Sequence, residues 1–223
     1  MVFIFMKRVL STKILSSKQC DLLEDKGFYV EHHNFINTQE LYFDWFSCHK
    51  IKNAIFTSKR AVTAVFSKPI EIQNCFCVGE RTAKLLQEKG QHVIEVAHNA
   101  KDLSERIINN YLDYSFYYFC AKHPLPYLPN ILDEFHINWQ KVPVYAIVPN
   151  SMAFSGNYDA VLFFSPSGVK SYFLKNNIPN WSFCIGATTA KTLEEYTQKY
   201  TSAQIPSVEH VLECVLNYFK SHD

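Results

Sequence analysis

Short apolar runs of strand length alternate with amphipathic stretches of helix length along most of the chain. The apolar runs are nearly continuous, which is typical of parallel strands that are buried on both faces. The predicted strands are Arg8–Ser11, Phe28–His32, Ala54–Thr57, Cys75–Val78, His92–Val96, Ser115–Cys120, Val142–Ile147, Ala160–Phe164 and Phe183–Ile185. The predicted helices are Ser17–Lys26, Glu80–Lys89 and Leu103–Leu112, with further helices near Ser167–Lys175, Thr188–Lys199 and Val208–Phe219. This alternation predicts an α/β fold with parallel sheets flanked by helices.

A pattern of strand, turn and helix occurs twice in the chain, 107 residues apart. The first copy reads NAIFTSKRAV and then CFCVGERTAKLLQEKG, and the second reads DAVLFFSPSGV and then SFCIGATTAKTLEEY. The spacing is kept by the pairs Ser58/Ser165, Gly79/Gly186 and Thr82/Thr189. Solenoid repeats are only ~20–50 residues long. The longer period therefore indicates a duplicated half-domain or domain, with one sheet per copy.

In each copy, two turns follow a predicted strand and precede a helix. They are Thr57–Ser58, Gly79–Thr82, Ser165–Gly168 and Gly186–Thr189. Ligands of parallel α/β sheets bind beyond the carboxyl ends of the strands, and helix N-termini offer unpaired N–H groups to anions. These turns are therefore predicted to bind carboxylate or phosphate groups. The alternative is that their hydroxyl residues only cap their own helices; those residues are Ser58, Thr82, Ser167 and Thr189.

The composition favours a globular protein that is not attracted to nucleic acid or membranes by its net charge. Of the 223 residues 48% are hydrophobic, and the formal net charge is +1, so no general attraction to nucleic acid or to a membrane surface is expected. No apolar segment approaches the ~20 residues of a membrane span. The seven cysteines are odd in number and scattered, which favours free thiols in a reducing cytoplasm. Our hypothesis for Met1–Phe5 is a dispensable extension.

Motifs that define several common enzyme classes are not found in the sequence. There is no glycine-rich phosphate loop, so nucleotide binding has no support. The nine histidines have no metal-ligand spacing, and no serine or cysteine lies in a nucleophile motif. Cys75 and Cys77 alternate along a strand and are predicted to pack on one face rather than to bind a metal. The chemistry is therefore expected to depend on binding geometry and proton placement.

Five segments together resemble the uroporphyrinogen-III synthase family. They are IFTSKRAV, VGERTAKLL, VYAIVPNS, FFSPSGV and CIGATTAKTLEE, and the resemblance extends from Arg8 to Phe219. It implies an enzyme that closes the linear tetrapyrrole hydroxymethylbilane to uroporphyrinogen III, inverting the last ring and releasing water, without a metal or organic cofactor. It also implies two lobes joined by a two-stranded linker, with the active site in the cleft between them. Residues 1–35 and 150–223 would form one lobe and residues 38–143 the other, with linker strands near 30–38 and 143–150.

The resemblance also implies the site residues. Tyr145 matches the family tyrosine favoured as proton donor to the departing hydroxyl; the alternative is a strand tyrosine that packs between the lobes. The expected substrate-binding residues are Thr12, Lys13, Thr57, Ser58, Gly79, Thr82, Ser165, Ser167, Gly168, Thr188 and Thr189. Lys13 stands where the family usually has arginine, which removes the bidentate fork. The segment FYYFCAKHPLPYLP lacks the glycine and arginine often found there, and Lys122 or His123 is the candidate substitute.

The resemblance finally implies partners. We expect a monomeric cytoplasmic enzyme whose substrate is hydroxymethylbilane, with the preceding pathway enzyme, hydroxymethylbilane synthase, as a further partner to consider. No nucleic-acid or membrane partner is expected. The alternative function is a catalytically silent, two-lobed protein that binds a polycarboxylate or tetrapyrrole. A nucleotide or sugar-phosphate enzyme is disfavoured because no phosphate loop occurs.

Overall fold

The structure is a computed structural model that describes residues 6–44 and 50–222. Met1–Phe5, and with it the hypothesis of a dispensable extension, lies outside the described residues. The strands are β1 (Lys7–Ser11), β2 (Phe28–His32), β3 (Ile36–Glu40), β4 (Lys50–Phe56), β5 (Glu71–Val78), β6 (Val93–Ala97), β7 (Ser115–Ala121), β8 (Asn138–Pro149), β9 (Ala160–Phe163), β10 (Ser182–Cys184) and β11 (Tyr200–Ser202). The helices are α1 (Ser17–Glu24), α2 (Lys59–Val65), α3 (Glu80–Glu88), α4 (Ala100–Asn110), α5 (Tyr127–Glu134), α6 (Pro166–Phe173), α7 (Ala187–Leu193) and α8 (Val208–His222).

The chain forms two compact units. Unit 1 contains the residues up to Asn37 together with those from Val148 onward, and unit 2 is Thr38–Ile147. The chain passes from unit 1 to unit 2 within β3 and returns within β8. Unit 1 is therefore discontinuous in sequence, whereas unit 2 is one uninterrupted segment.

Unit 1 is built around a parallel sheet with the strand order β11-β10-β9-β1-β2. Successive residues of its central strands point to opposite faces, as the two-residue period of a strand requires. Val9 and Leu162 pack in a core with α1 and α8, whereas Leu10 and Val161 pack in a second core with α6 and α7. Helices thus cover both faces of the sheet, which explains why the central strand β9 is apolar at every position.

Unit 2 contains a six-stranded sheet with the order β3-β8-β7-β4-β5-β6, in which the pairs from β8 to β6 are parallel. Phe56 and Cys77 pack with α2 and α3 on one face, whereas Ile55 and Phe76 pack with α4 and α5 on the other. Cys75 joins Cys77 in the first core, so the prediction that both pack on one face is confirmed. None of the helices within the described ranges has the length and apolar character of a membrane span.

The predicted α/β class with parallel sheets flanked by helices is confirmed, but four elements differ from the sequence prediction. The predicted helix Thr188–Lys199 ends at Leu193, because the following residues turn, so that Tyr196 stacks on Phe173 at 4.1 Å before the chain enters β11. The hydrophobic pattern does not predict β3, α5 or β11. The two strands are short and poor in apolar residues, and Pro129 lies inside α5.

Candidate functional site

The repeated serine turns lie where the sequence predicts them, between a parallel strand and the helix that follows. Ser58 is the N-cap of α2, and its Oγ accepts a hydrogen bond from the Arg60 N–H at 3.1 Å. Ser165 is the N-cap of α6, and its Oγ accepts a hydrogen bond from the Gly168 N–H at 3.1 Å. The capping role is therefore confirmed for Ser58. It is wrong for Ser167, which lies inside α6 because Ser165 already occupies the cap position.

The repeated glycine turns also lie at strand ends, and the glycines themselves are the N-caps. Gly79 precedes α3 and Gly186 precedes α7. Thr82 and Thr189 are the third residues of these helices and are only 5% and 3% exposed. Neither threonine is an N-cap, so the capping role predicted as an alternative is wrong for both.

In unit 1, three of the predicted substrate-binding residues lie together at the carboxyl ends of β1 and β9. The Thr12 Oγ1 donates a hydrogen bond to the Leu162 carbonyl at 2.7 Å, and Thr12 is buried. A Cβ added to Gly168 would lie 3.3 Å from the Ser165 Oγ and 3.6 Å from the Thr12 Oγ1. The Thr12 proton is thus already used by the backbone, and a side chain at Gly168 would require the Ser165 hydroxyl to move slightly.

The other predicted residues of unit 1 are more accessible. Lys13 and Thr188 are exposed, and Ser167 is half-buried. The Lys13 ammonium lies 5.9 Å from the centre of the Phe164 ring, within reach of a cation–π contact. These three side chains are therefore accessible to solvent at least in part. Their role in substrate binding stays a prediction.

In unit 2, Tyr145 lies on β8 at a one-residue irregularity of the sheet. Cys120 of β7 pairs with Pro143 but Ala121 pairs with Tyr145, so Val144 is an extra residue in β8. A bulge redirects the side chains around it, and Val144 and Tyr145 both pack in the core under α2 and α3. Tyr145 is 7% exposed, and its hydroxyl forms no hydrogen bond with any residue in the described ranges.

Two further predicted positions of unit 2 are held by local contacts. The Thr57 Oγ1 and the Tyr118 hydroxyl lie 3.0 Å apart and share one hydrogen bond. Burial raises the pKa of the Tyr118 phenol to about 12, against the lowering effect of the Thr57 contact. The Lys122 N–H donates to the Tyr145 carbonyl at 2.7 Å, and the Lys141 Nζ donates to the Lys122 carbonyl at 3.0 Å. The exposed side chain of Lys122 remains available, and its role as a substitute for the family arginine stays a prediction.

A cavity of about 600 Å³, called the α2–α3 groove below, brings Tyr145 together with four cations. Lys59 and Arg60 extend from the first turn of α2, and Arg81 and Lys84 extend from α3. Within the described part of the chain none of the four forms an ion pair or a side-chain hydrogen bond. The positive groups can bind anions, and the phenol beside them can deliver a proton to a bound ligand.

Sequence reasoning found Tyr145 but missed the four cations of this groove. Their spacing gives a signal, because Arg81 and Lys84 are three residues apart and so share one face of α3. Among the described residues no group of three or more His, Cys, Asp or Glu side chains is placed to hold a metal ion. The groove therefore offers ammonium, guanidinium and phenol groups as its chemistry.

Comparison with known proteins identifies the family of the chain. The family model described as uroporphyrinogen-III synthase HemD matches residues 20–213. The chain belongs to the uroporphyrinogen-III synthase family. No curated protein matches the chain.

Solved structures of other members of the uroporphyrinogen-III synthase family have the same fold. The enzyme from Helicobacter pylori is 21% identical, with a TM-score of 0.72 over 96% of this chain and 100% of that chain. A mutant enzyme from Thermus thermophilus is 15% identical, with a TM-score of 0.61 over 96% of this chain and 99% of that chain. These similarities support the predicted fold.

Membership of the uroporphyrinogen-III synthase family confirms the predicted enzyme class and function. The chain is a cyclising lyase of haem biosynthesis that closes hydroxymethylbilane to uroporphyrinogen III with inversion of the last ring. Its substrate is thus a small-molecule tetrapyrrole. The comparisons give no support to the alternative of a catalytically silent binding protein.

Proposed function

We propose that this chain closes hydroxymethylbilane with Tyr145 as the proton donor to the departing hydroxyl. One observation carries the assignment. The Tyr145 phenol lies at a cationic groove, is almost fully buried, and makes no hydrogen bond to the described protein. Its ring packs in the core of unit 2, whereas its hydroxyl is not fully buried and has no hydrogen-bond partner in the described protein. A substrate hydroxyl at this position would supply that partner.

The proposed reaction begins when the phenol proton passes to the hydroxymethyl oxygen, which leaves as water. The remaining azafulvene cation is attacked by the substituted carbon of the far ring, which forms a spiro intermediate. That intermediate fragments, and the freed ring recloses through its other carbon, so the ring is inverted. The last carbon loses a proton, which restores the Tyr145 phenol, so the enzyme ends the cycle unchanged.

The larger contribution to the rate comes from folding a flexible substrate so that its ends meet. Holding two reacting groups in position converts an intermolecular search into an intramolecular step. The substrate carries eight carboxylates, and N–H groups at the first turns of α2, α3, α6 and α7 are donors suited to them. We propose Lys13, Ser167 and Thr188 as the exposed or half-buried side chains of unit 1 that add to this binding.

We also propose a cytoplasmic, monomeric enzyme that receives its substrate from hydroxymethylbilane synthase. The six described cysteines are all free thiols, which suits a reducing compartment. Size-exclusion chromatography with light scattering checks the monomer, and a dimer mass would contradict it.

The function is tested by supplying hydroxymethylbilane and separating uroporphyrin isomers I and III after oxidation. Wild-type protein should give isomer III; isomer I alone, the spontaneous product, would exclude the enzyme. Tyr145→Phe should lower the rate by about 10- to 100-fold, because one general acid is removed. Isomer I should then accumulate from unprocessed substrate.

A matched control is Tyr172→Phe. Tyr172 is 4% exposed and also lacks a side-chain hydrogen bond to the described residues, but it belongs to α6 and packs in the core of unit 1. This variant should keep the wild-type rate and isomer ratio. If Tyr145→Phe behaves like Tyr172→Phe, Tyr145 has no part in the proton transfer.

A further inference from the structure

We infer that the α2–α3 groove holds substrate carboxylates directly through the side chains of Lys59, Arg60, Arg81 and Lys84. It is then a charge-selective subsite for the acidic substituents of the tetrapyrrole, separate from the backbone N–H groups of the turns. The identity of the ligand as a tetrapyrrole polycarboxylate rests on the proposed function. The presence of an anion-binding groove rests on the geometry of unit 2 alone.

The groove is formed by matching faces of two helices. Arg60 lies on the same face of α2 as Thr63 and Ala64, with the three- and four-residue spacing of a helical stripe. Arg81 and Lys84 form the equivalent stripe on α3. All four cations are exposed, and none is neutralised by a described carboxylate. The charges are therefore free to meet an anionic ligand in a cavity of about 600 Å³.

The repeated sequence shows that the turns themselves do not require these cations. At the positions 107 residues later, Lys59, Arg60 and Arg81 are replaced by Pro166, Ser167 and Thr188. Both copies nonetheless form the same strand, N-cap and helix. Only Lys84 has a cationic counterpart, Lys191. Three charges are thus present in unit 2 without a structural need, which points to a ligand.

The charge that develops in the reaction also limits what the cations do. Departure of the hydroxyl creates a positive charge on the substrate carbon, and nearby cations would raise the energy of that state. The cations are therefore suited to the carboxylates on the rings and unsuited to the reacting carbon. Glu40 and Glu88 also line the groove, so a bound polyanion is favoured near the cations and disfavoured near these two residues.

The experiment titrates the full-length protein with uroporphyrin III, a stable octacarboxylate related to the product, and follows the porphyrin fluorescence. Arg81→Gln and Lys84→Gln should each weaken binding by about 2- to 5-fold, as expected for the loss of one solvent-exposed ion pair. The loss should shrink between about 0.01 M and about 0.1 M salt, because the Debye length falls from about 30 Å to about 10 Å. In the isomer assay, KM should rise by a larger factor than kcat falls.

Two further variants separate charge from fold. Lys89→Gln removes an exposed charge at the end of α3 that does not line the groove, and it should leave the affinity for uroporphyrin III unchanged. Glu88→Gln removes a negative charge from the groove and should tighten binding by about 2- to 5-fold. A structural defect would not give effects of opposite sign on one helix.

The outcomes distinguish this inference from the proposed function. If Arg81→Gln and Lys84→Gln bind uroporphyrin III as tightly as Lys89→Gln does, while wild type makes isomer III, the groove is not the carboxylate site. If wild type makes only isomer I but the charge variants weaken binding, the groove binds polycarboxylates and the catalytic proposal fails. Affinities that do not respond to salt would also overturn the inference.

Discussion

The two copies of the repeat present the same backbone positions with different side-chain chemistry. In unit 2 the turns carry Lys59, Arg60 and Arg81, whereas the matching positions of unit 1 carry Pro166 and two hydroxyl residues. Both copies place an N-capping serine and an N-capping glycine at the ends of parallel strands. The strand, the cap and the helix therefore determine where a ligand binds. The side chains that follow the cap determine which chemical groups bind an anion. Unit 2 offers charge, and unit 1 offers hydroxyl groups.

The buried strands of the repeat differ as well. Cys75 and Cys77 of β5 correspond to Ser182 and Cys184 of β10, and all four residues are fully buried. The Ser182 Oγ is the one buried side-chain polar atom among the described residues that has no hydrogen-bond partner. A thiol tolerates such a site better than a hydroxyl does, because its sulfur is a weak hydrogen-bonding group. The same strand position is thus apolar in unit 2 and polar without compensation in unit 1.

The largest expected effect is a loss of stability at high pH that arises mainly in unit 2. Burial raises the pKa of Cys75 to about 12 and that of Cys77 and Cys120 to about 11. An unfolded thiol ionises near about 8.5. Stability from these thiols is fully present below that pH and is lost as the pH rises towards about 11 to 12. In this window each thiol lowers the free energy of unfolding by about 1.4 kcal/mol per pH unit.

Urea unfolding between about pH 8 and about pH 10.5 measures this slope. The variant Cys75→Ala/Cys77→Ala removes two of the titrating groups, so its stability should be lower at neutral pH but should fall less steeply. An unchanged slope in that variant would show that the two thiols do not govern alkaline unfolding.

The next effect concerns the two capping glycines. Gly79 has a φ of 86°, a backbone conformation that residues other than glycine rarely adopt. The φ of 167° at Gly186 is extended backbone, which any residue can adopt. Gly79→Ala should therefore cost about 1–3 kcal/mol in the free energy of unfolding. A Cβ at Gly186 would meet the Pro206 Cβ at an ordinary 3.9 Å, so Gly186→Ala should stay within about 0.5 kcal/mol of wild type. Denaturant unfolding measures both variants. Equal losses in the free energy of unfolding would show that the two glycine positions do not differ in backbone strain.

The smallest expected effect is a change in the free energy of unfolding that has opposite signs at two buried serines of the unit 1 sheet. Ser182→Ala removes a hydroxyl without a partner and should raise the free energy of unfolding by about 1 kcal/mol. Ser11→Ala removes a buried hydroxyl that donates to the Lys13 carbonyl at 2.6 Å and should lower it by about 1 kcal/mol. Thermal unfolding of both variants under one condition gives the comparison. A loss of stability in Ser182→Ala would mean that packing of the hydroxyl outweighs its missing hydrogen bond.

The sequence predicts the fold well where buried strands and capped helices agree. Phe28–His32 is predicted at its observed bounds, and the strands and helices of the repeat are found close to their predicted positions except for the early end of α7. The prediction fails where a local signal is weak or misleading. Pro126 and Pro129 indicate a loop but belong to the start of α5, because the first turn of a helix needs no N–H from proline. Ile36–Glu40 is nearly all polar, so its place in a sheet depends on pairing with β8.

The candidate site is predicted less completely than the fold. The turns at the strand ends follow from the repeat, and Tyr145 follows from the family resemblance. The extra residue Val144 redirects the tyrosine side chain. A hydrophobic pattern cannot predict this bulge, because the bulge depends on the pairing between β7 and β8. The capping roles of Thr82 and Thr189 were wrong because a glycine at the cap position leaves the threonine inside the helix. The meeting of cations from α2 and α3 likewise requires the tertiary arrangement.

The discontinuous unit 1 has a consequence for synthesis on the ribosome. Its sheet pairs Val9 of β1 with Ala160 of β9, and Thr12 bonds to Leu162 across 150 residues of sequence. At translation rates of about 5–20 residues per second, β1 waits roughly 7 to 30 seconds for its central partner β9. Unit 2 is contiguous and can fold during that interval. Val9 and Leu10 of β1, which are fully buried in the folded protein, therefore complete their packing only after unit 2 has been synthesised.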